Sequence, residues 1–334
     1  MNKQEWLQYQ RHNRHLSMPI LSFPVVQLLG ITVKDLVNNA RYQALGMKKI
    51  SERYPTSAAV TIMDLSVEAE NFDAEIEFFD MEVPAVLRRV IDNCIDADKL
   101  AVPAVKQNRS LIYIEAVEEA LRLIDDRPVF AGVIGPFSLA GRLMDMTEIM
   151  MNCYLAPDMV HTVLKKVSTY IINYIKEYKK AGAAGIIMAE PAAGLLSPEL
   201  CDEFSSKYIK TICNNFKEDN FVFCYHNCGN TIPLVESIVD IDADLYHFGN
   251  SINLEEMLKL MPRNKIVMGN LDPMELQNGT MESVRSKTLN ILEKCNKYPN
   301  FVISTGCDVP PAASWDNIDV YFKTIQEYYG ITGI

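Results

Sequence analysis

The chain has 334 residues, 49% hydrophobic and 22% charged, the balance of an ordinary globular protein rather than a disordered one. A formal net charge of -11 argues against a nucleic-acid surface. The opening stretch MNKQEWLQYQRHNRH lacks the apolar segment of a secretory signal, and no run approaches the length of a membrane span. The expectation is a cytoplasmic protein whose eight cysteines are reduced thiols.

In chain order, Met1 to His15 predicts a helix outside any regular alternation, placed to cover one end of the fold. Apolar runs then recur at 19–24 (PILSFP), 58–64 (AAVTIMD), 129–137 (VFAGVIGPF), 184–191 (AGIIMAEP), 221–227 (FVFCYHN), 244–249 (DLYHFG), 265–271 (KIVMGNL) and 301–307 (FVISTGC). Most close on or beside Gly, Pro, Asp or Asn, as buried parallel strands do. Residues 82–126 read as further helix outside the alternation. The stretch 155–181 places Val160, Leu164, Val167, Ile171 and Ile175 on one helical face. Ser197 followed by Pro198 reads as an N-cap and first helical turn of a helix running to about Asn215. Two more helices are expected over 281–297 and 315–329. Eight strands alternating with helices predict an α/β fold, a (β/α)8 TIM barrel, as a single domain over 1–334 with 1–15 and 82–126 as additional helical segments.

Three residues carry the strongest chemical signal. His226 and Cys228 lie in FCYHNCGN and Cys307 in FVISTGCD, each where an apolar run should end. Barrel active sites are built at the C-terminal ends of the strands. Two thiolates and one imidazole brought to one point make a three-ligand zinc site, and three ligands leave a position open for a reacting group. Cys94, Cys153, Cys201, Cys213 and Cys295 lack this pattern. Cys224 shares strand parity with His226 and Cys228 but lies deeper, where packing is the expected role. Glu190 ends the fourth run and is expected to face the barrel mouth, open to three roles: accepting a thiol proton, filling the fourth ligand position, or orienting His226. The alternative for Glu190 is a carboxylate at a helix N-terminus beside a cation. His247 is read as a core histidine bonded to a backbone carbonyl rather than as a ligand. Asn270 and Asp272 in GNLDP are candidates for contacts to a bound cofactor or substrate, against the alternative of a turn with an Asp-Pro helix start.

Several segments together carry a family resemblance. GPFSLA (135–140), AGLLSPE (193–199), GNLDP (269–273) and STGCDVPPAASWDNI (304–318) resemble the uroporphyrinogen decarboxylase superfamily, in the order found there. MDLSVEAENFDAEIEF (63–78) is similar to the stretch in that superfamily holding a substrate-binding aspartate, which falls on Asp64. The resemblance runs from about residue 16 to the end and implies a (β/α)8 barrel. It implies for Asp64 a role toward substrate, with capping of the next helix as the alternative.

The superfamily holds two chemistries. Its decarboxylases carry an arginine-rich RQAGR segment near the N-terminus, whereas residues 16–40 here contain no arginine. They end their last strand with NLGHG, where this chain has STGCD. Cysteine at that point, with His226 and Cys228, makes the chain similar to the methylcobalamin:coenzyme M methyltransferases and their bacterial relatives. That resemblance implies zinc held by His226, Cys228 and Cys307. It also implies methyl transfer from methylcobalamin, or a related methylated corrinoid, to a small thiol such as coenzyme M. No Asp-x-His-x-x-Gly corrinoid-binding run is present, so the corrinoid is expected on a separate small carrier protein. In the related cobalamin-independent methionine synthases a carboxylate near the sixth strand end is a further zinc ligand; Gly249 and Asn250 occupy that region here. The alternative function is decarboxylation of a tetrapyrrole of the uroporphyrinogen type.

Overall fold

In the computed structural model, which describes residues 1–217 and 219–331, the apolar runs pair in parallel. The strands are β1 (Ala59–Val60), β2 (Val129–Ile134), β3 (Gly185–Ala189), β4 (Val222–Asn227), β5 (Leu245–Phe248), β6 (Ile266–Leu271) and β7 (Phe301–Thr305). They form one seven-stranded sheet whose spatial order is the chain order, β1 to β7. Every strand residue is buried, as expected where helices cover one face and side chains fill the other. The architecture is that of a TIM-barrel-like α/β fold.

The eighth expected strand, 19–24, is not a ladder strand. Its segment lies between β7 and β1, joined by hydroxyls in place of a ladder. Ser17 Oγ donates to Ile303 O (2.8 Å), Ser304 Oγ donates to Met18 O (2.9 Å) and Ile20 N donates to Thr305 Oγ1 (3.3 Å). Pro19 and Pro24 have no N–H to give, so a regular ladder is broken at both ends of PILSFP.

The segment 82–126 is also not continuous helix. It contains part of a two-stranded antiparallel ribbon, Ile76–Glu77 with Ala85–Val86, a short helix Cys94–Lys99 and the helix Asn108–Leu123. Pro84 and Pro103 interrupt the helical pattern, and Asn93 caps the short helix through Ile95 N and Asp96 N. The N-terminal helix spans Lys3–His12 and starts in a capping box formed by Asn2 and Glu5. Its Trp6 packs against Phe130 at a ring-centroid distance of 4.9 Å and donates from Nε1 to Ser57 O (3.1 Å), closing the N-terminal end of the barrel. The long amphipathic helix runs over Pro157–Ala181, and the expected 281–297 and 315–329 helices run over Met281–Cys295 and Trp315–Tyr328. The expected helix from Ser197 is present but composite: a turn at Pro198–Cys201, a π-helical turn at Asp202–Ser206, then Lys207–Asn214. No helix among the described residues is long and apolar enough to cross a membrane.

The register fixes what lies inside. Ile187, Cys224, Leu245 and Ile266 are neighbours across β3 to β6 and belong to the inner cluster that also holds Phe130, Met268 and Val302. Cys224 is therefore a packing residue. Two residues further along each strand, Ala189, His226, His247 and Met268 are the next neighbours. Side chains alternate between faces along a strand, so this layer points inward as well, nearer the C-terminal mouth.

Candidate metal centre

The sequence places His226 near the end of β4, Cys228 just beyond it and Cys307 just beyond β7. The fold brings all three together: His226 nitrogen and the two Sγ atoms lie within 4.8 Å of one another. Cys307 Sγ is 3.7 Å from His226 Nε2. A tetrahedral zinc with bonds of about 2.3 Å to sulfur and about 2.1 Å to nitrogen holds its donors roughly 3.5–3.8 Å apart. The donor set and its spacing thus fit a soft, tetrahedral metal. His226 is buried, and both cysteines are partly open to solvent. Cys228 and Cys307 behave as a pair that shares a proton: hydrogen bonding from Cys307, against burial, lowers Cys228, while the proton stays on Cys307 and its own value rises.

Local chemistry explains how the loops reach this geometry. Asn227, between the two β4 ligands, accepts from Gly229 N at Oδ1 (2.8 Å) and donates from Nδ2 to Glu190 O (2.8 Å) and Tyr225 Oη (3.1 Å). That side-chain turn sets the direction of the chain through Cys228. Ser251 Oγ donates to Cys228 O (2.8 Å) from the next loop. A Cβ on Gly249 would stand 2.4 Å from Cys228 Cα, and one on Gly306 would stand 2.7 Å from Asn250 N. Both positions need glycine: the Cys228 backbone lies directly against Gly249, and the Asn250 loop lies directly against Gly306, the residue before Cys307.

Behind His226 runs a buried polar chain. His226 Nδ1 lies 2.7 Å from His247 Nδ1 and 3.2 Å from His247 O; His247 Nε2 lies 2.7 Å from Ser304 Oγ. His247 lies in the core and outside the donor cluster, as the sequence reading has it, but among the described residues its ring meets His226 and a serine in place of a backbone carbonyl. Burial first, then the neighbouring His226, holds His247 well below the usual histidine range.

Glu190 departs from its expected direction. Its carboxylate accepts from Phe137 N (2.8 Å), Ser138 N (3.0 Å) and Ser205 Oγ (2.9 Å), at the N-terminus of the helix Pro136–Met144. It is fully buried, and burial pushes it up to about 7 despite those donors. The helix terminus, with its free N–H groups and partial positive charge, engages the carboxylate, and Glu190 is not among the three residues of the donor cluster. The geometry is that of the helix N-terminal alternative, with N–H and O–H donors and, among the described residues, no cation as partner.

Asp64 is closed off in a similar way. Its Oδ1 accepts from Ser66 N (2.9 Å) and Ser66 Oγ (2.6 Å); its Oδ2 accepts from Tyr113 Oη (3.0 Å) and pairs with Arg109. Arg109 also bonds Glu70 through Nε (2.8 Å) and Ser66 Oγ through Nη2 (2.8 Å). Asn270 donates to Gly249 O (3.1 Å) and Ile252 O (3.0 Å), tying down the loop that carries Gly249. Asp272 accepts from Met274 N (2.9 Å) as the N-cap of the helix Pro273–Asn278. The four residues offered as catalytic or cofactor contacts are thus all engaged in holding the mouth together.

Sequence reasoning passed over Arg109, Tyr113 and Glu68. Arg109 and Tyr113 share one helical face four residues apart, a spacing that a search for a partner to Asp64 would find. Glu68 accepts from Ile134 N (3.0 Å) with one oxygen, and its other oxygen is buried without a partner among the described residues.

A family model described as uroporphyrinogen decarboxylase (URO-D) matches residues 24–328. The uroporphyrinogen decarboxylase of Coxiella burnetii is 24% identical over 290 residues, 83% of this chain and 78% of the relative. The methylcobamide:CoM methyltransferase MtbA of Methanosarcina acetivorans is 28% identical over 279 residues, 79% of this chain and 78% of the relative. Among solved structures, a methyltransferase from Methanosarcina mazei superimposes with a TM-score of 0.84 at 20% identity, covering 96% of this chain and 98% of its own. A B12-independent methionine synthase from Shewanella reaches a TM-score of 0.59 at 13% identity, covering 89% of this chain and 91% of its own. These two structures bear on the fold alone.

Proposed function

The chain belongs to the uroporphyrinogen decarboxylase (URO-D) family, and within it we propose a zinc-dependent methyltransferase that moves a methyl group from a methylated corrinoid to a small thiol. The observation that carries this reading is the convergence of His226, Cys228 and Cys307 within 4.8 Å at the C-terminal end of the barrel. His226 Nε2, Cys228 Sγ and Cys307 Sγ are the atoms that would hold the metal. When bound there, zinc keeps an incoming thiol as its thiolate, the nucleophilic form. Two cysteinate ligands cancel much of the ion's charge and leave that sulfur electron-rich. With the metal held there and a methylated corrinoid at the mouth, the acceptor sulfur would take the methyl carbon as the carbon–cobalt bond breaks, the bonding pair going to cobalt and the thiol proton to solvent. In this reading coenzyme M or a related thiol is the acceptor, and the corrinoid arrives on a separate small carrier protein at the mouth of one barrel unit.

The relatives on the decarboxylase and methyltransferase sides are similarly distant, at 24% and 28% identity, so the site must separate the two chemistries. Two features weigh against decarboxylation. No arginine lies in residues 16–40 to meet clustered substrate carboxylates. Asp64 accepts from four donors of its own chain and has little capacity left for pyrrole N–H groups.

The test is metal analysis of the purified protein combined with a methylcobalamin demethylation assay over a panel of thiols. Stoichiometric zinc and thiol-dependent loss of the methyl–cobalt absorbance are expected. Formation of coproporphyrinogen at an enzymatic rate, with no demethylation by any thiol, would replace this reading with the decarboxylase one.

A further inference from the structure

The buried chain behind His226 has a direction, and the direction matters for the metal site. His226 and His247 are register neighbours on β4 and β5, both inward, with ring centroids 4.7 Å apart at an interplanar angle of 64°. Only 2% of His226 and 0% of His247 is exposed, so neither ring nitrogen facing the other can turn to bulk water. Their Nδ1 atoms, 2.7 Å apart, must share a single proton, since two N–H groups would collide and two lone pairs would repel.

Two carbonyls decide where that proton sits. At the far end, Ser304 Oγ lies 2.9 Å from Met18 O, and a carbonyl can only accept, so Ser304 donates its one hydrogen there. Its oxygen must then accept from His247 Nε2 (2.7 Å), which makes Nε2 the protonated nitrogen of His247 and leaves Nδ1 with a lone pair. At the near end, His226 Nδ1 lies 3.2 Å from His247 O as well as from the ring, and that carbonyl also demands a donor. Both ends select the same order: His226 Nδ1–H donates to His247, His247 Nε2–H donates to Ser304, and Ser304 donates to Met18 O. His226 Nε2, the atom 3.7 Å from Cys307 Sγ, is left with its lone pair toward the two thiols.

We propose that His247 is a positioning residue for the metal centre: with Ser304 and the Met18 carbonyl behind it, it fixes the His226 tautomer and ring orientation that present Nε2 as a ligand. The inference rests on the zinc-site reading given above and deepens it. Outer partners of this kind commonly donate or accept through carboxylates, carbonyls or water. Here a second imidazole does so, chosen by the register of two parallel strands.

The proton order is a property of the polypeptide and is read without metal. The full-length chain, labelled with 15N-histidine and stripped with a chelator, is expected to give His226 a protonated Nδ1 and a pyridine-like Nε2 in long-range 1H–15N spectra. Zinc affinity is then measured by chelator competition. His247→Leu, which removes the acceptor, is expected to weaken zinc binding about 10- to 100-fold. His247→Gln, whose amide oxygen can accept where Nδ1 did, is expected to recover most of that loss. Ser304→Ala is the milder variant and decides the question if His247→Leu does not fold; it is expected to weaken zinc binding and mix the His226 tautomers. A proton on His226 Nε2 in the parent protein overturns the proposal. So does zinc affinity within about twofold of parent in whichever of His247→Leu and Ser304→Ala folds. If the parent shows the expected tautomer but binds no zinc, the metal reading fails while the proton order stands, so the two failures are distinguishable.

Discussion

Two polar clusters sit at the same end of the barrel, one after β1 and one at the ends of β4 and β7, and they are built on opposite terms. Around Asp64 every lone pair has a donor: Ser66 twice, Tyr113 and Arg109, with Arg109 itself shared with Glu70 and Ser66. Around His226, Cys228 and Cys307 the donor atoms meet chiefly one another, and the surrounding hydrogen bonds go to the backbone and to the rear nitrogen of His226. A saturated cluster is a fastener, because buried polar groups gain little from exchanging one set of good partners for another. A cluster whose donor atoms face one another is the arrangement on which the proposed metal site rests.

The comparison breaks most visibly at the metal ligands. Cys307→Ala is expected to weaken zinc binding by more than about 100-fold, beyond what loss of an outer partner costs, and to abolish thiol-dependent demethylation. The measurement is zinc content after dialysis against a weak chelator. Stoichiometric zinc retained in a Cys228→Ala, Cys307→Ala double variant would remove the basis of the proposed function.

The opposite pattern is expected at the closed cluster. The side chains of Arg109 and Asp64 are 3% and 0% exposed, so Arg109→Met strands a buried carboxylate and should cost about 3–5 kcal/mol in urea unfolding. Removing both charges, as Arg109→Met with Asp64→Asn, should recover much of that loss, since the stranded charge is gone. Zinc content should stay at the parent level in every folded member of the series. A large loss of zinc with little loss of stability would show that Asp64 belongs to the chemistry after all.

These contrasts mark what the sequence could and could not say. The seven ladder strands are legible because each is a short apolar run with a turn residue at its end. The run at 19–24 looks the same by composition, but Pro19 and Pro24 withhold the N–H groups a ladder needs, and hydroxyls of Ser17, Ser304 and Thr305 make the seam. The convergence of His226, Cys228 and Cys307, the proposed metal ligands, is legible because residue type and strand-end position coincide. The His226–His247 bond is not, because it depends on the register between β4 and β5, which no local pattern encodes. For Glu190 the strand-end position is legible and the partners are not. Its partners, Phe137, Ser138 and Ser205, come from a separate helix start and a separate helical turn. Arg109 lies 45 residues from Asp64, so their pairing too appears only once the chain is folded.

Between the two clusters in character stands Glu68, half satisfied. Burial, with Asp64's charge adding to it, pushes its pKa up to about 7, against the hydrogen bond from Ile134 N. In the unfolded chain a glutamate titrates near 4.3. The folded state therefore holds the proton more tightly. Glu68's contribution to stability is largest at low pH, falls as pH rises from about 4.3 to 7, and levels above that, a change of roughly 3–4 kcal/mol. Glu68→Gln cannot ionise, so its unfolding free energy should decline less between pH 5 and pH 8 than the parent's. Equal slopes in the two proteins would mean that Glu68 is ionised and partnered in solution, and would move it into the saturated class with Asp64.

The smallest effect sharpens the comparison at a helix cap. Asp272, in GNLDP, was a candidate for contact with a bound cofactor, yet its Oδ1 accepts from Met274 N and caps the helix Pro273–Asn278. A lost N-cap of this kind costs about 1 kcal/mol. Asp272→Asn keeps an oxygen acceptor at the cap and should be nearly neutral, whereas Asp272→Ala should lower stability by about 1 kcal/mol. Zinc content and the demethylation rate should be unchanged in both. The pair of variants separates capping from binding because a cap needs an acceptor oxygen, while a charge-dependent contact needs the carboxylate. If Asp272→Asn folds as stably as the parent but loses demethylation with an accepted thiol, Asp272 reaches the substrate, and its hydrogen bond to Met274 N is only one of two roles.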